Sequence, residues 1–453
     1  MSNGQPTVWP NLVHDTMFGR ARRMAARSVH AIDDAIWRVG RSRVRVLFEA
    51  ASPVSLAVFR PVLEYLERDP RIEFWFTTSD GTWDADGIFV QNFNHNAGGA
   101  TTRDRVIRSS QARWMKFDGY INTDFWNMTW LPRRARRVHM FHGVAGKYGL
   151  DAPVRIAPVV ASFDRLLFPN RDRLLRYAAA GLVDRDEPRA ALIGYPKVDC
   201  LVDGSLNRTA IQDELGLDRT RPTVLYAPTW SPHSSLNGMG DAIVDALSRL
   251  DVNVLVKLHD RSYDGSERGS GGIDWRARMA AWQRKPSVHL ATGPDVSPSL
   301  FVADALVTDH SSVGFEFMLL DRPLVVIDCP ELIRRARISA DKVALLRSAA
   351  EVVARADAVG PAVRRALSRP HERSERRTAV AHDLFYRPGG ATARAADCIY
   401  ELLEVEAPAC ETAAVEQLGS RERPTLDQIV LSSRRTPQSA RALAIDGTSV
   451  PKQ

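Results

Sequence analysis

The chain has 453 residues, 44% of them hydrophobic and 25% charged, with a formal net charge of +7. Such a length exceeds one ordinary core and suits two domains of about 150–200 residues with extensions, and the composition excludes both a disordered chain and a membrane-embedded body. Arginine dominates the positive excess, which suits an anionic partner: nucleic acid, a phosphorylated substrate or an anionic membrane surface.

The amino terminus, MSNGQPTVWPNLVHDTMFGR, lacks the continuous apolar region of a signal peptide. No apolar run approaches the ~18 residues of a membrane span, so a cytoplasmic protein is expected. Residues 1–42 form a basic extension, and an amphipathic helix is expected over Ala21–Val39, where arginines interleave with Met24, Val29, Ile32, Ile36 and Trp37. A membrane-apposed face and a solvated helix face both fit it, as they fit the cluster Arg133, Arg134, Arg136 and Arg137. Cys200, Cys329, Cys398 and Cys410 lie far apart without a CxxC pair, which excludes a disulfide scaffold or a zinc knuckle.

From residue 44 the pattern alternates short apolar runs with helical ones. Strands are expected at 44–49, 72–77, 117–123, 138–143 and 163–170, with a helix at 61–68 and another ending in Gly181. The Gly-Tyr-Pro of AALIGYPKVD breaks the next strand, and a domain boundary is placed near 200. The alternation then restarts, with strands at 223–230, 252–260, 288–292, 303–312 and 323–330 and helices around 240–250 and 274–284. Residues 331–390 read as mainly helical, 391–405 as an amphipathic helix, and the chain beyond 407 as a flexible polar tail. Strands alternating with helices predict an α/β fold of two Rossmann-like, doubly wound sheets.

The chemistry-bearing segments lie where strands end, and ligands in open parallel sheets bind beyond strand carboxyl ends. VTDHSS closes a buried strand at Asp309 and sets Ser311 and Ser312 at the start of a helix, placed to grip phosphate or merely to cap that helix. In VLVKLHD, Lys257 and His259 lie on one side of a terminating strand and offer two donors to a diphosphate. His142, followed by Gly143, is a candidate base: imidazole titrates near neutrality, and glycine lets substrate approach the backbone. Gly143, Gly146 and Lys147 do not make a Walker loop, because the spacing is too short and Tyr148 replaces the required hydroxyl. Thr229 ends LYAPTW, where it lines a cleft or simply closes a turn. Asp84-x-Asp86 sits in a turn-like segment rather than after an apolar strand, so no metal is expected.

Taken in order, His142-Gly143, Ile193-Gly194-Tyr195-Pro196, Tyr226 to Trp230, Lys257-Leu258-His259, Thr308 to Ser312, Asp321-Arg322-Pro323 and Phe385 to Gly390 resemble the CDP-glycerol glycerophosphotransferase family of teichoic-acid primases and polymerases. The resemblance runs from about 138 to 395. It implies a GT-B architecture, an acceptor domain at 43–200, a donor-binding domain at 201–390 followed by a helix at 391–406, and neither cofactor nor metal. It also implies that His142 deprotonates or orients an acceptor hydroxyl with Gly143 beside it. His259, catalytic with His142, and Lys257, Thr229, Asp309, Ser311, Ser312 and Glu316 would then serve the donor. The chain departs from the family pattern where Asp260 stands for a proline, His310 for a tyrosine, Glu316 for an aspartate, and Val144-Ala145 for Thr-Pro.

The function so implied is transfer of a glycerol-phosphate, polyol-phosphate or sugar unit from CDP-glycerol or a related nucleotide-diphosphate donor to a glycan or lipid-linked acceptor of the cell envelope. The competing readings are a nucleotide-sugar epimerase of similar fold and a non-catalytic envelope-assembly scaffold. No nucleic-acid-binding motif is present, and no such partner is expected.

Overall fold

A computed structural model of the protein describes residues 43–79, 84–93, 96–97, 100–125, 128–145, 153–267 and 269–408. The helix expected over Ala21–Val39, the segment containing Gly146, Lys147 and Tyr148, Cys410, and the expected tail apart from Ala407 and Pro408 lie outside the described residues.

Two six-stranded parallel sheets organise the chain. The first contains β1 (Val44–Glu49), β2 (Ile72–Thr77), β3 (Gly119–Asn122), β4 (Arg136–Met140), β5 (Arg165–Phe168) and β6 (Ala190–Leu192), in the order β2-β1-β3-β4-β5-β6. The second contains β7 (Thr223–Tyr226), β8 (Asn253–Val256), β9 (Val288–Leu290), β10 (Ala305–Thr308), β11 (Leu324–Ile327) and β12 (Glu351–Val353), in the order β9-β8-β7-β10-β11-β12. Central strands such as β7, β8, β10 and β11 are buried throughout, which is why they read as continuous apolar runs rather than alternating ones. The fold is α/β with two doubly wound sheets, as the alternation predicts.

Two local expectations need correction. The first helix, α1 (Pro53–Leu66), starts eight residues before Pro61, because Ser52 accepts the Ser55 N–H and Pro53 occupies the first turn, where its missing N–H costs nothing. The mainly helical stretch after residue 330 contains β12, whose three residues are too few to show a period.

The crossing between the sheets is stitched to the end of the chain. Gly194 has φ +95, and a side-chain carbon there would fall 2.5 Å from the Tyr386 carbonyl, so only glycine fits. Asp199 accepts the Gly389 and Thr392 N–H groups at 2.8 and 2.7 Å, capping α5 (Ala391–Leu403). That helix packs Ala395, Ala396, Ile399 and Tyr400 into the same apolar cluster as β1, β2 and α1, so the last helix completes the first sheet's core. A second cluster joins Val58, Val144 and Tyr195 with Leu225, Leu306 and Phe315, making one continuous apolar body beneath the two strand-end regions.

Candidate active site

His142 follows β4, and its ring is held by the backbone. Nδ1 lies 2.6 Å from the Thr123 carbonyl, which can only accept, so Nδ1 carries a hydrogen and, in the neutral ring, Nε2 is the nitrogen with the lone pair. The side chain is exposed. An imidazole oriented in this way can take a proton from a hydroxyl placed at Nε2.

Gly143 turns the chain away with φ +81, and its N–H donates to the Tyr195 hydroxyl at 3.0 Å. A side-chain carbon placed on Gly143 would sit 3.9 Å from Ser312 Oγ. The histidine loop of the first sheet and the serine turn of the second therefore meet at van der Waals distance across one gap.

Ser312 precedes α4 (Val313–Phe317), but its hydroxyl makes no capping bond, which leaves that oxygen for another partner. Ser311, its neighbour, is likewise half-buried. Asp309 is fully buried and acts as a bracket: one carboxylate oxygen accepts the Thr229 N–H at 2.9 Å, and the other accepts the N–H and hydroxyl of Ser235 at 3.0 and 2.9 Å. Thr229 is thereby fixed with its buried hydroxyl unpartnered among the described residues.

The Lys257 ammonium is buried and donates to the Leu258 carbonyl at 2.9 Å. Burial pulls its pKa down to about 8, although Asp260 and Asp295 oppose the shift. His259 contacts Asp260 through Nδ1, with the Trp230 ring centroid 6.2 Å away. Asp260 also accepts the Arg261 N–H at 2.7 Å and, from the first sheet's side, the Val54 N–H at the start of α1 at 3.3 Å. Burial alone would raise this carboxyl, but His259 and those two amides hold it below the usual carboxylate range. The negative charge beside His259 is thus compensated locally, and it ties the two halves together.

Glu316 is 2% exposed and pairs with Lys197, which is 7% exposed, at 2.8 Å. Burial would lower the lysine, yet the adjacent carboxylate carries it above its ordinary value. Burial also pushes Tyr195 up to about 12, so the phenol that receives the Gly143 N–H stays protonated. His310 is buried with Nε2 3.7 Å from Asp328, and burial lowers its pKa. Asp84 is spent on the Gly87 N–H, and among the described residues no group of three or more His, Cys, Asp or Glu side chains could hold a metal ion.

Gly143 and Ser312 come together directly, whereas Asp309 and Glu316 are buried and engaged by Thr229 and Ser235 and by Lys197. Lys197, Tyr195 and Trp230 were not singled out from sequence. All three lie inside the quoted motifs, Gly-Tyr-Pro-Lys and Ala-Pro-Thr-Trp, and a broken strand end was their only local signal.

Two parallel six-stranded sheets with the Gly143 loop of the first meeting the Ser312 turn of the second define a GT-B-like α/β fold. The chain belongs to the CDP-Glycerol:Poly(glycerophosphate) glycerophosphotransferase family, whose model matches residues 88–331. It is 27% identical over 164 residues to a teichoic acid poly(glycerol phosphate) polymerase of Staphylococcus epidermidis, a match spanning 36% of this chain and 22% of that protein. In fold it is similar to the wall teichoic acid polymerase TagF, with TM-score 0.60 and 15% identity over 86% of this chain and 99% of that structure. A TagF variant soaked with CDPG matches with TM-score 0.60 and 14% identity, over 89% of this chain and 100% of that structure.

Proposed function

We propose that this chain transfers glycerol phosphate, or a closely related polyol phosphate, from CDP-glycerol to a hydroxyl of a glycan or lipid-linked acceptor of the cell envelope. The acceptor hydroxyl attacks the phosphorus that carries glycerol and loses its proton to His142 Nε2. The bond from that phosphorus to the bridging oxygen breaks, and CMP departs with the electron pair. Lys257, His259, Ser311, Ser312 and Thr229 bind the diphosphate and offset the charge that accumulates on the leaving phosphate. Residues 43–200 serve the acceptor and residues 201–390 the donor.

The observation that carries this reading is the approach of Gly143 to Ser312 beneath an imidazole whose free nitrogen is set by the Thr123 carbonyl. In this reading the base and the phosphate-binding groups lie on opposite sides of one gap. The experiment is incubation of the purified full chain with CDP-glycerol, CDP-ribitol and a panel of nucleotide sugars, with and without lipid-linked acceptors. CMP release that requires acceptor supports transfer. Donor turnover without acceptor points to the epimerase reading, and no turnover across the panel rejects both.

An anionic membrane surface is proposed as a further partner at the inner face of the cell membrane. Trp114 is 82% exposed and Trp130 is 40% exposed, and the Arg137 guanidinium lies 4.8 Å from the Trp130 ring in a surface also carrying Arg133 and Arg134. Aromatic rings among arginines suit an anionic interface. Among the described residues no helix is long and apolar enough to cross a membrane. Co-sedimentation with vesicles containing phosphatidylglycerol, against neutral vesicles, tests the partner.

A further inference from the structure

Glu49 closes β1 at the carboxyl edge of the first sheet, level with Asn122 at the end of β3, and Asn122 is in turn level with His139 on β4. The Glu49 side chain is 2% exposed, and both of its oxygens are used. Tyr120 donates its hydroxyl to Oε2, the Thr129 N–H donates to the same oxygen at 2.8 Å, and the Thr129 hydroxyl donates to Oε1 at 2.7 Å. Burial raises the carboxyl above its ordinary value, and these three bonds oppose the rise.

From Tyr120 the bonds run on toward His142. The Asn122 amide donates to the Tyr120 hydroxyl at 3.2 Å and to the Asp124 carbonyl at 2.7 Å, which closes a turn around Thr123. Its carbonyl oxygen faces His139 Nδ1 at 2.9 Å, so that ring nitrogen is the donor. His139 is 2% exposed and stacked on Phe125 with ring centroids 3.8 Å apart, and burial holds its pKa well below the ordinary value. The direction of every bond is thereby set, and the run ends on the Thr123 carbonyl, which accepts the hydrogen of His142 Nδ1 at 2.6 Å. A buried carboxyl is costly, and strand pairing at this edge does not need one. What Glu49 supplies is two oxygens that accept three bonds at once.

We propose that Glu49 is a positioning residue for transfer: by anchoring Thr129 and, through Tyr120 and Asn122, the turn that carries the Thr123 carbonyl, it keeps the His142 ring in the orientation that leaves Nε2 to take the proton. Glu49 touches neither donor nor acceptor in this account and acts only through the histidine. The inference rests on the transfer reading above and adds to it the source of the base's orientation. It predicts a loss confined to the chemical step, because Lys257, His259 and the serines belong to the second sheet and, among the described residues, share no bond with this network.

The test compares wild type, E49A, E49Q and Y120F as full chains. Glutamine has the same shape; its carbonyl can accept from Tyr120 and the Thr129 N–H while its amide donates to the Thr129 hydroxyl, so most of the anchoring survives. With CDP-glycerol and the lipid-linked acceptor of the transfer assay, E49A should lower kcat about 10- to 100-fold and leave donor KM within about 2-fold, whereas E49Q should stay within about 3-fold of wild type. Donor KM rising in step with the fall in kcat, or E49Q as poor as E49A, would overturn the proposal. A second readout needs no turnover. Long-range proton–nitrogen NMR of the histidine-labelled chain, at a pH high enough that the ring signals no longer move, tells an Nδ1-protonated ring from an Nε2-protonated one. The His142 signals are those missing from H142A. Wild type and E49Q should show the Nδ1–H form and E49A a mixture of both, and an unchanged His142 signature in E49A sinks the idea whatever the activity. If wild type fails to consume CDP-glycerol, the transfer reading falls while the ring signature still decides Glu49. Should E49A fail to fold, Y120F, which removes one hydroxyl from the middle of the network, carries both measurements. A mixed signature with a smaller fall in kcat supports the proposal, and a wild-type signature overturns it.

Discussion

His142 and His259 are held in opposite ways. His142, which follows the first sheet's β4, is fixed by a neutral backbone carbonyl and is exposed. His259, on the second, sits beside a carboxylate, a buried lysine and an arginine over Trp230. A base that accepts one proton needs a defined tautomer and an open nitrogen, whereas a diphosphate site must balance charge in a poorly solvated place. The first half therefore spends neutral hydrogen bonds on orientation, and the second spends buried ionic ones.

Breaking the His142 side should give the largest effect. H142A should lower kcat by about 10²- to 10⁴-fold with donor binding unchanged, since only the proton acceptor is lost. Single-turnover kinetics with a separate CDP-glycerol binding measurement checks it, and a matching fall in donor affinity would place His142 with the donor instead.

The next contrast concerns the buried pair beneath the second half. K197M leaves Glu316 without its partner and should cost about 3–5 kcal/mol of stability, while K197M with E316L should recover most of it. Urea unfolding of wild type and the two variants measures this, and an undamaged single variant would show that water reaches the pair.

A pH series sharpens the difference further. Lys257, held at about 8, is cationic below that pH and neutral above it, so donor affinity should be full at pH 7 and fall as pH rises through 8. The diphosphate diester is already fully ionised there and contributes no titration of its own. In K257M the fall should vanish and donor affinity should start about 10-fold lower. Acceptor KM over the same range should stay flat.

Asp260 should give the smallest change. D260N keeps an acceptor for only one of the Val54 and Arg261 amides, which bond different oxygens, and removes the charge beside His259, so donor KM should move only about 2- to 5-fold, chiefly through the pH profile. A loss as large as that of H142A would mean that the bond from Val54 to this carboxylate, rather than its charge, governs the donor side.

Much of the architecture was legible in the residues. The apolar runs at 223–226, 253–256, 305–308 and 324–327 report strands buried on both faces, and the polar residues that follow each run mark the edge where a site forms. His142, Lys257, His259 and Ser312 could be picked out because each sits just past such a run. The helix start at Pro53 and the strand at Glu351–Val353 were harder, since a proline inside a helix and a three-residue strand carry ambiguous local signals.

By itself the sequence determined the period, the alternation and the strand ends, because burial of one element face is a local property that repeats every few residues. Only the tertiary structure decided the partners: Lys197 with Glu316 119 residues on, Asp260 with Val54 206 residues back, and Gly143 against Ser312. Those contacts depend on how two sheet edges face each other, and no spacing along a chain encodes the direction in which an edge points.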